Sequence, residues 1–289
     1  MPKFLRTREN LLNTKKIFFY QLDNIVEYRR VRCKSAISKS TLPGLDYTIN
    51  PYLGCEHGCI YCYAPDVIRS KEFQNGWGSI VYAKENIVEA LLKQIRAIKP
   101  GVTGYSTVTD PYQPYERKMC FARKIIEILL SHRFRISFQT KSSLILRDID
   151  MIRGDNVEVG FTITSLDKEF AKKFEPNSSP PEERAQALET FSEKGVKTWI
   201  FYGPIICGFN DDDENLYNLF QLAKKTRSYI MYDKLRLKPI LSNRMKKVLG
   251  EDVFEKIKGG DLEQCFKKTY YKVIKLGREY NVKVEPAFA

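Results

Sequence analysis

No stretch of this chain approaches the ~18 to 20 uninterrupted apolar residues of a transmembrane helix, so no membrane span is expected. The first residues, "MPKFLRTRENLLNTKK", lack an apolar h-region, so no secretory signal is expected and a cytoplasmic location is. There is no low-complexity segment and no repeat of fixed period. Nor is there a second pair of cysteines to partner the one cluster, "GCEHGCIYCYAP" at residues 54–65. A chain of 289 residues with 43% hydrophobic and 29% charged residues can bury a core without staples. It suits one large α/β domain or two small ones.

The net charge is +13, and it is uneven. Residues 1–40 hold ten basic side chains (Lys3, Arg6, Arg8, Lys15, Lys16, Arg29, Arg30, Arg32, Lys34 and Lys39) against three acidic ones. Such a segment reads as an arm that meets phosphates, or as a solvated surface whose charge aids solubility. No recognisable nucleic-acid-binding motif accompanies it.

The seven cysteines do not suggest a disulfide framework, because their number is odd and Cys33, Cys120, Cys207 and Cys265 are scattered singly. Scattered cysteines are expected to be small buried apolar residues. Cys55, Cys59 and Cys62 differ, and clustered cysteines in an intracellular enzyme point to a metal. A closed zinc site wants four ligands, so zinc would need a distant fourth. His57 lies in the loop, but its spacing is unlike that of a zinc knuckle. Three thiolates on a four-iron cluster would leave one iron open, and an open metal position is reactive.

Strand-like and helix-like runs alternate along the chain. The segments "LDYTINPY", "VTGYSTVT", "FRISFQT", "VEVGFTIT", "VKTWIFYGPII" and "YIMYDKLRL" read as strands. Between them, "ENIVEALLKQIRAI", "FARKIIEILLSH", "LILRDIDMI", "PPEERAQALETFSEKG" and "DDENLYNLFQLAKKT" read as helices. About six such units predict a parallel sheet, doubly wound or barrel-like, with its chemistry at the C-terminal strand ends. There the polar residues Thr109-Asp110, Thr140-Lys141-Ser142 and Thr162 to Ser165 stand. A long helix and a final strand or tail end the chain. We therefore expect a basic extension at residues 1–40, a core at 41–240 and a helical C-terminal extension at 241–289.

The Cys-x-x-x-Cys-x-x-Cys spacing, with Tyr61 before the last cysteine, resembles the radical S-adenosylmethionine superfamily. "INPYLGCEHGCIYCYAP", "TDPYQPYE", "TKSSLILRDID", "FEPNSSPPEERAQALETFSEKG" and "GPIICGFND" extend the likeness over residues ~35–215, to its spore photoproduct lyase-like branch, also labelled DNA repair photolyase-like. The resemblance implies a partial (β/α)6 TIM-like barrel. It implies a [4Fe–4S] cluster on Cys55, Cys59 and Cys62, with S-adenosylmethionine on the open iron. Reductive cleavage of that molecule yields a 5′-deoxyadenosyl radical that takes hydrogen from a substrate. Tyr61 would pack by the adenine end or contact it by main chain. Thr109 would place a small hydroxyl on the cofactor. Lys141 would meet the methionine carboxylate or the ribose, Thr162 or Thr164 would end strand 4, and Arg184 would steady the carboxylate. An electron donor of the flavodoxin or ferredoxin kind is implied.

The chain departs from its relatives in two respects that bear on chemistry. Spore photoproduct lyases carry a cysteine close before the strand-2 aspartate, where this chain has "YSTVTDPY". Cys207, in "PIICG" where many relatives have proline, reads as a hydrogen donor at the barrel mouth or as a small buried residue. The expected function is radical chemistry on a nucleic acid base. The alternatives are radical chemistry on a small metabolite, and a non-catalytic metal-binding protein.

Overall fold

The computed structural model describes residues 26–68, 70–259 and 261–288. Eight strands form one sheet in the order β2-β3-β6-β7-β8-β9-β10-β11. They are β2 (Ile37–Lys39), β3 (Tyr47–Ile49), β6 (Val102–Tyr105), β7 (Arg135–Thr140), β8 (Val157–Thr162), β9 (Lys197–Ile205), β10 (Tyr229–Lys234) and β11 (Val284–Pro286). From β3 to β11 every neighbouring pair is parallel, and only β2 runs antiparallel. The six parallel strands β3 and β6 to β10 are the expected partial barrel, and β11 adds a seventh. A second sheet, in the order β1-β5-β4, joins β1 (Glu27–Val31), β5 (Ile80–Lys84) and β4 (Tyr52–Leu53).

Strand β8 is buried at five of its six positions, as a strand covered on both faces must be. Its Gly160 lies beneath the indole of Trp199 on β9, where any Cβ would collide with the ring. The helix Phe121–Ser131 buries Phe121, Ala122, Ile125, Ile126, Ile128 and Leu129, a stripe at helical spacing. The helix Pro181–Glu193 starts on prolines and packs over β8 and β9.

Several predicted strands are shorter than expected, among them "YIMYDKLRL", which ends at Lys234, and two depart most. "LDYTINPY" is broken at Asn50-Pro51, so that β3 joins the large sheet and β4 the small one. Pro51 has no N–H for a ladder, and the Asn50 side chain instead accepts the N–H groups of Thr107 and Val108. "VTGYSTVT" stops at Tyr105, because Ser106 turns left-handed at φ 66°. Thr109 and Asp110 therefore lie in a loop beyond the strand, whereas Thr140 and Thr162 are last residues of β7 and β8.

Lys3, Arg6, Arg8, Lys15 and Lys16 of the basic segment lie outside the described residues. The later part of that segment is folded into the sheets as β1 and β2. Arg29 is tied to Glu27 and Glu72, each at 2.6 Å, and Arg32 stands 3.5 Å from Glu85 and 3.6 Å from Glu89.

A second apolar core sits apart from the barrel core. Ile60 and Tyr61 of the cysteine loop pack there with Phe170, Phe174, Ile206 and Phe209. Leu241, Met245 and Leu249 of the helix Pro239–Leu249 and Phe254 and Ile257 of the helix Glu251–Gly259 complete it. The C-terminal helices thus close over the loop.

Candidate metal and cofactor centre

The cysteine loop follows β4 and is shaped by glycine. Gly54 has φ +83°, and a Cβ there would strike the carbonyl oxygen of Ile80. Gly58 has φ +60° and lies against Gly78, with 3.2 Å from its would-be Cβ to the Gly78 Cα. The main chain is then held from several sides. Thr109 donates its hydroxyl to Gly54 O at 2.6 Å, and Asn177 donates its amide to Glu56 O at 2.8 Å. The Glu56 N–H donates to the Gln113 side chain at 3.0 Å, and the Ile60 N–H to Phe174 O at 3.0 Å. Arg244 donates to the carbonyls of Ile60, at 3.0 Å, and of Cys62. The helix carrying Arg244 is itself anchored to the loop's exit, because Asp66 accepts the N–H groups of Ile240 and Leu241.

Cys55, Cys59 and Cys62 are unbonded. Burial pushes all three thiols up, Cys59 to about 12, and Asp110 adds to the rise at Cys55. Lys141 opposes that rise at Cys59 and Cys62, Arg184 at Cys59 and Arg244 at Cys62, but burial prevails, and a metal group bound between the sulfurs would add the further positive charge that thiolates need. Among the described residues, the trio whose ligand atoms all lie within 4.8 Å of one another is Cys207, Asp211 and Cys265.

Beside them stands Lys141, first residue after β7, with its ammonium over the Tyr61 ring, 5.5 Å from the centroid. That ammonium donates to no acceptor among the described residues. Burial works against its charge, but Cys59, Glu175 and Cys62 outweigh burial and hold its pKa up. A half-buried cation without an acceptor fits an anionic ligand. The donor set and this cation therefore fit both an iron–sulfur group and the carboxylate end of S-adenosylmethionine.

Behind the ring is a closed ionic network. Arg184, fully buried, donates to Glu175 at 2.5 Å, Thr162 O at 2.8 Å and Ser179 O at 2.8 Å. Glu175 also accepts the hydroxyls of Tyr61 and of Thr164, the latter at 3.0 Å. Burial alone would raise the Glu175 carboxyl, but Arg184 and Lys141 hold it below its ordinary value. Asp110 is likewise held down against burial, chiefly by His57, whose Nδ1 lies 3.4 Å away, and by donors from Thr140 and Lys141.

The structure brings Cys55, Cys59, Cys62, Tyr61, Lys141 and Arg184 into one region, with Thr109 and Thr162 at its walls. It also shows what their polar atoms already do. The hydroxyl of Thr109 serves Gly54 and accepts from Gln113, and that of Thr162 accepts from Gln139 at 3.1 Å. Glu175, Arg244 and Asp66 were missed by the sequence reading. Glu175 stands in the quoted "FEPNSSPP", but nothing local marks it as the partner of Tyr61, 114 residues earlier. Arg244 and Asp66 lie in no motif and meet only through tertiary packing.

The expectation that Cys207 and Cys265 are isolated is corrected. They form a disulfide across 58 residues of sequence, with 6.2 Å between their Cα atoms. The end of β9 carries Cys207 to the first turn of the helix Leu262–Tyr280, which bears Cys265. A disulfided Cys207 has no S–H to donate. Cys120 sits left-handed at φ 52° between two helices.

Comparison with known proteins accords with this geometry. The family model described as Radical SAM superfamily matches residues 49–220. Uncharacterized protein MJ0683 of Methanocaldococcus jannaschii is 36% identical over 186 residues, 64% of this chain and 70% of that protein. Uncharacterized protein ORF301 of Acidianus two-tailed virus is 30% identical over 169 residues, 55% of this chain and 56% of that one. Spore photoproduct lyase complexed with dinucleoside spore photoproduct shares the fold at TM-score 0.64 and 15% identity, covering 90% of this chain and 82% of that one. A mutant of that lyase with bound AdoMet and the same dinucleoside gives TM-score 0.63 at 17% identity, covering 90% and 81%. The family match spans more than half of the sequence and contains every cysteine of the loop, and the chain belongs to the radical SAM superfamily.

Proposed function

We propose that the protein is a radical S-adenosylmethionine enzyme whose [4Fe–4S] cluster is held by Cys55, Cys59 and Cys62. The observation that carries this reading is the set of three unbonded thiols beside the ammonium of Lys141, which follows the C-terminal end of β7 and has no acceptor among the described residues. When bound and reduced, such a cluster supplies the electron that cleaves S-adenosylmethionine to a radical that abstracts hydrogen. Lys141 offers its charge to the carboxylate of that molecule. Tyr61 presents its face and is fixed by Glu175, which Arg184 neutralises. Thr109 and Arg244 hold the loop backbone, and Thr162 orients Arg184 through its carbonyl. The helix Pro239–Leu249 and its apolar core keep water from the loop.

The test is anaerobic reconstitution with iron and sulfide, chemical reduction and addition of S-adenosylmethionine. The expected product is 5′-deoxyadenosine, lost in Cys55→Ala, Cys59→Ala and Cys62→Ala. A colourless protein that takes up only zinc overturns the reading. Lys141→Met is expected to raise the KM for S-adenosylmethionine by at least about tenfold, as loss of a charge-assisted contact predicts.

For the substrate we propose a nucleic acid base. The support is the excess of 13 positive charges and the fold shared with a lyase complexed with a dinucleoside spore photoproduct. Binding of single-stranded DNA or RNA should then fall steeply with salt. Because Arg29 and Arg32 face acidic partners, the informative reversals are Arg30→Glu and Lys34→Glu. Salt-independent or absent binding removes nucleic acid from the reading and leaves the radical chemistry intact.

A further inference from the structure

The Cys207–Cys265 disulfide has a third participant. Asp211, four residues after Cys207, places its second carboxylate oxygen 3.4 Å from Cys265 Sγ. Its first oxygen is fixed by the Gly208 N–H at 2.6 Å. A carboxylate oxygen gains nothing from a disulfide sulfur, which has no proton to donate. The same oxygen has a use once the sulfurs are free. Cys207 Sγ, Cys265 Sγ and an Asp211 oxygen all lie within 4.8 Å of one another. Once the S–S bond is cut and the two sulfurs part to non-bonded contact, metal–sulfur bonds of about 2.3 Å and a metal–oxygen bond of about 2.1 Å can set these three ligands around one ion. All three residues are half-buried, so a fourth position can be filled by water.

We propose that Cys207, Cys265 and Asp211 form a second metal site, for a thiophilic divalent cation of the zinc class, that exists only when the disulfide is reduced. A dithiol reductant gives two electrons and two protons to the S–S bond and is itself oxidised to a disulfide. The S–S bond breaks and two thiols form. Each thiol then loses its proton as the cation binds, so the site carries two thiolates, one carboxylate and one water. A disulfide oxidant reverses the sequence: it takes two electrons from the two thiolates and two protons from solvent to become a dithiol, the S–S bond re-forms and the cation leaves. In either state the loop after β9 stays tied to the last long helix. That loop borders the mouth of the barrel, since Phe209 packs on Phe174 and Asn210 donates to Thr164 O at 3.1 Å. The cation ligands are drawn from the loop and from the helix Leu262–Tyr280, and none is shared with the loop at residues 55–62.

The probe is Co2+, added to the full chain after reduction with dithiothreitol and anaerobic desalting. Thiolate-to-cobalt absorption bands report ligation by sulfur. The chain carrying Cys55→Ala, Cys59→Ala and Cys62→Ala removes the other thiolate set, so this test does not depend on an iron–sulfur cluster. One equivalent of Co2+ is expected in that chain, lost on adding Cys207→Ser or Cys265→Ser. Asp211→Asn should weaken binding by at least about tenfold. Oxidation to the disulfide, confirmed by mass spectrometry of the joined peptides, should abolish it. If the triple variant does not fold, the same difference of one equivalent is read between the wild-type chain and its Cys207→Ser variant. No cobalt bands in the reduced chain, or bands unchanged by Cys207→Ser, would show the pair to be a disulfide only and overturn the proposal.

Discussion

The molecule uses sulfur in two ways, and the contrast separates local from global information. Cys55, Cys59 and Cys62 lie within eight residues and remain unbonded, while Cys207 and Cys265 are joined across 58 residues. In the loop, position comes from the backbone: glycines at positive φ, and side chains of Thr109, Asn177, Gln113 and Arg244 that hold its peptide groups. In the pair, position comes from the barrel's connectivity, which carries the end of β9 to the start of the last long helix. A loop held by hydrogen bonds leaves three sulfurs available to a metal group. A pair brought together by topology leaves two sulfurs that can simply bond to each other.

The largest expected effect tests whether the two groups are functionally separate. Single substitutions Cys55→Ala, Cys59→Ala or Cys62→Ala should abolish retention of iron and sulfide after anaerobic reconstitution. Cys207→Ser should retain the wild-type iron content. Equal loss in both sets would erase the contrast. The second effect is on stability. A cross-link over a loop of this length constrains the unfolded chain by about 4 kcal/mol. Urea unfolding with and without dithiol, on metal-free protein, should differ by about that amount, and Cys207→Ser should show no such difference. The third effect is smaller. Gly54→Ala places a Cβ at φ +83° against the Ile80 carbonyl, and about 1–3 kcal/mol of destabilisation is expected in the same unfolding assay.

The contrast also explains what the sequence could disclose. The six parallel strands were legible because each is a short apolar run punctuated by helix signals, and this pattern is local. The three loop cysteines were legible because their spacing is local too. The break at Asn50-Pro51 was not, since it depends on Asn50 meeting Thr107 and Val108. The short strands β1 and β2 are exposed at most positions and have no apolar pattern to betray them. Arg184 was singled out through the family resemblance, yet its partner Glu175, and the network through Tyr61 and Thr164, exist only in three dimensions. The disulfide was hidden for the same reason: no rule of spacing pairs residues 207 and 265.

The smallest effect distinguishes the two regions by the agent that loosens them. The loop region is tied by buried charge, and acid acts on charge. Glu175 is held below its ordinary value of 4.5 by Arg184 and Lys141, against the opposing effect of burial. Asp110 is held below 3.8, with His57 the chief opponent of burial. A carboxyl whose folded value is depressed binds its proton more readily in the unfolded chain. Its contribution to stability is therefore complete above the unfolded value and is lost as the pH falls through the folded one. Stability measured by urea unfolding should decline from about pH 4.5 downward. Glu175→Gln should be less stable than wild type at neutral pH, because Arg184 then lacks its buried counter-charge. It should also decline less steeply below about pH 4.5, because one of the buried depressed carboxyls is gone. The disulfide predicts the opposite pattern: the stability difference between oxidised and reduced protein should stay constant over the same pH range. A disulfide increment that fell in step with Glu175 would mean that the loop and the pair are mechanically one unit, joined through Phe174 and Phe209.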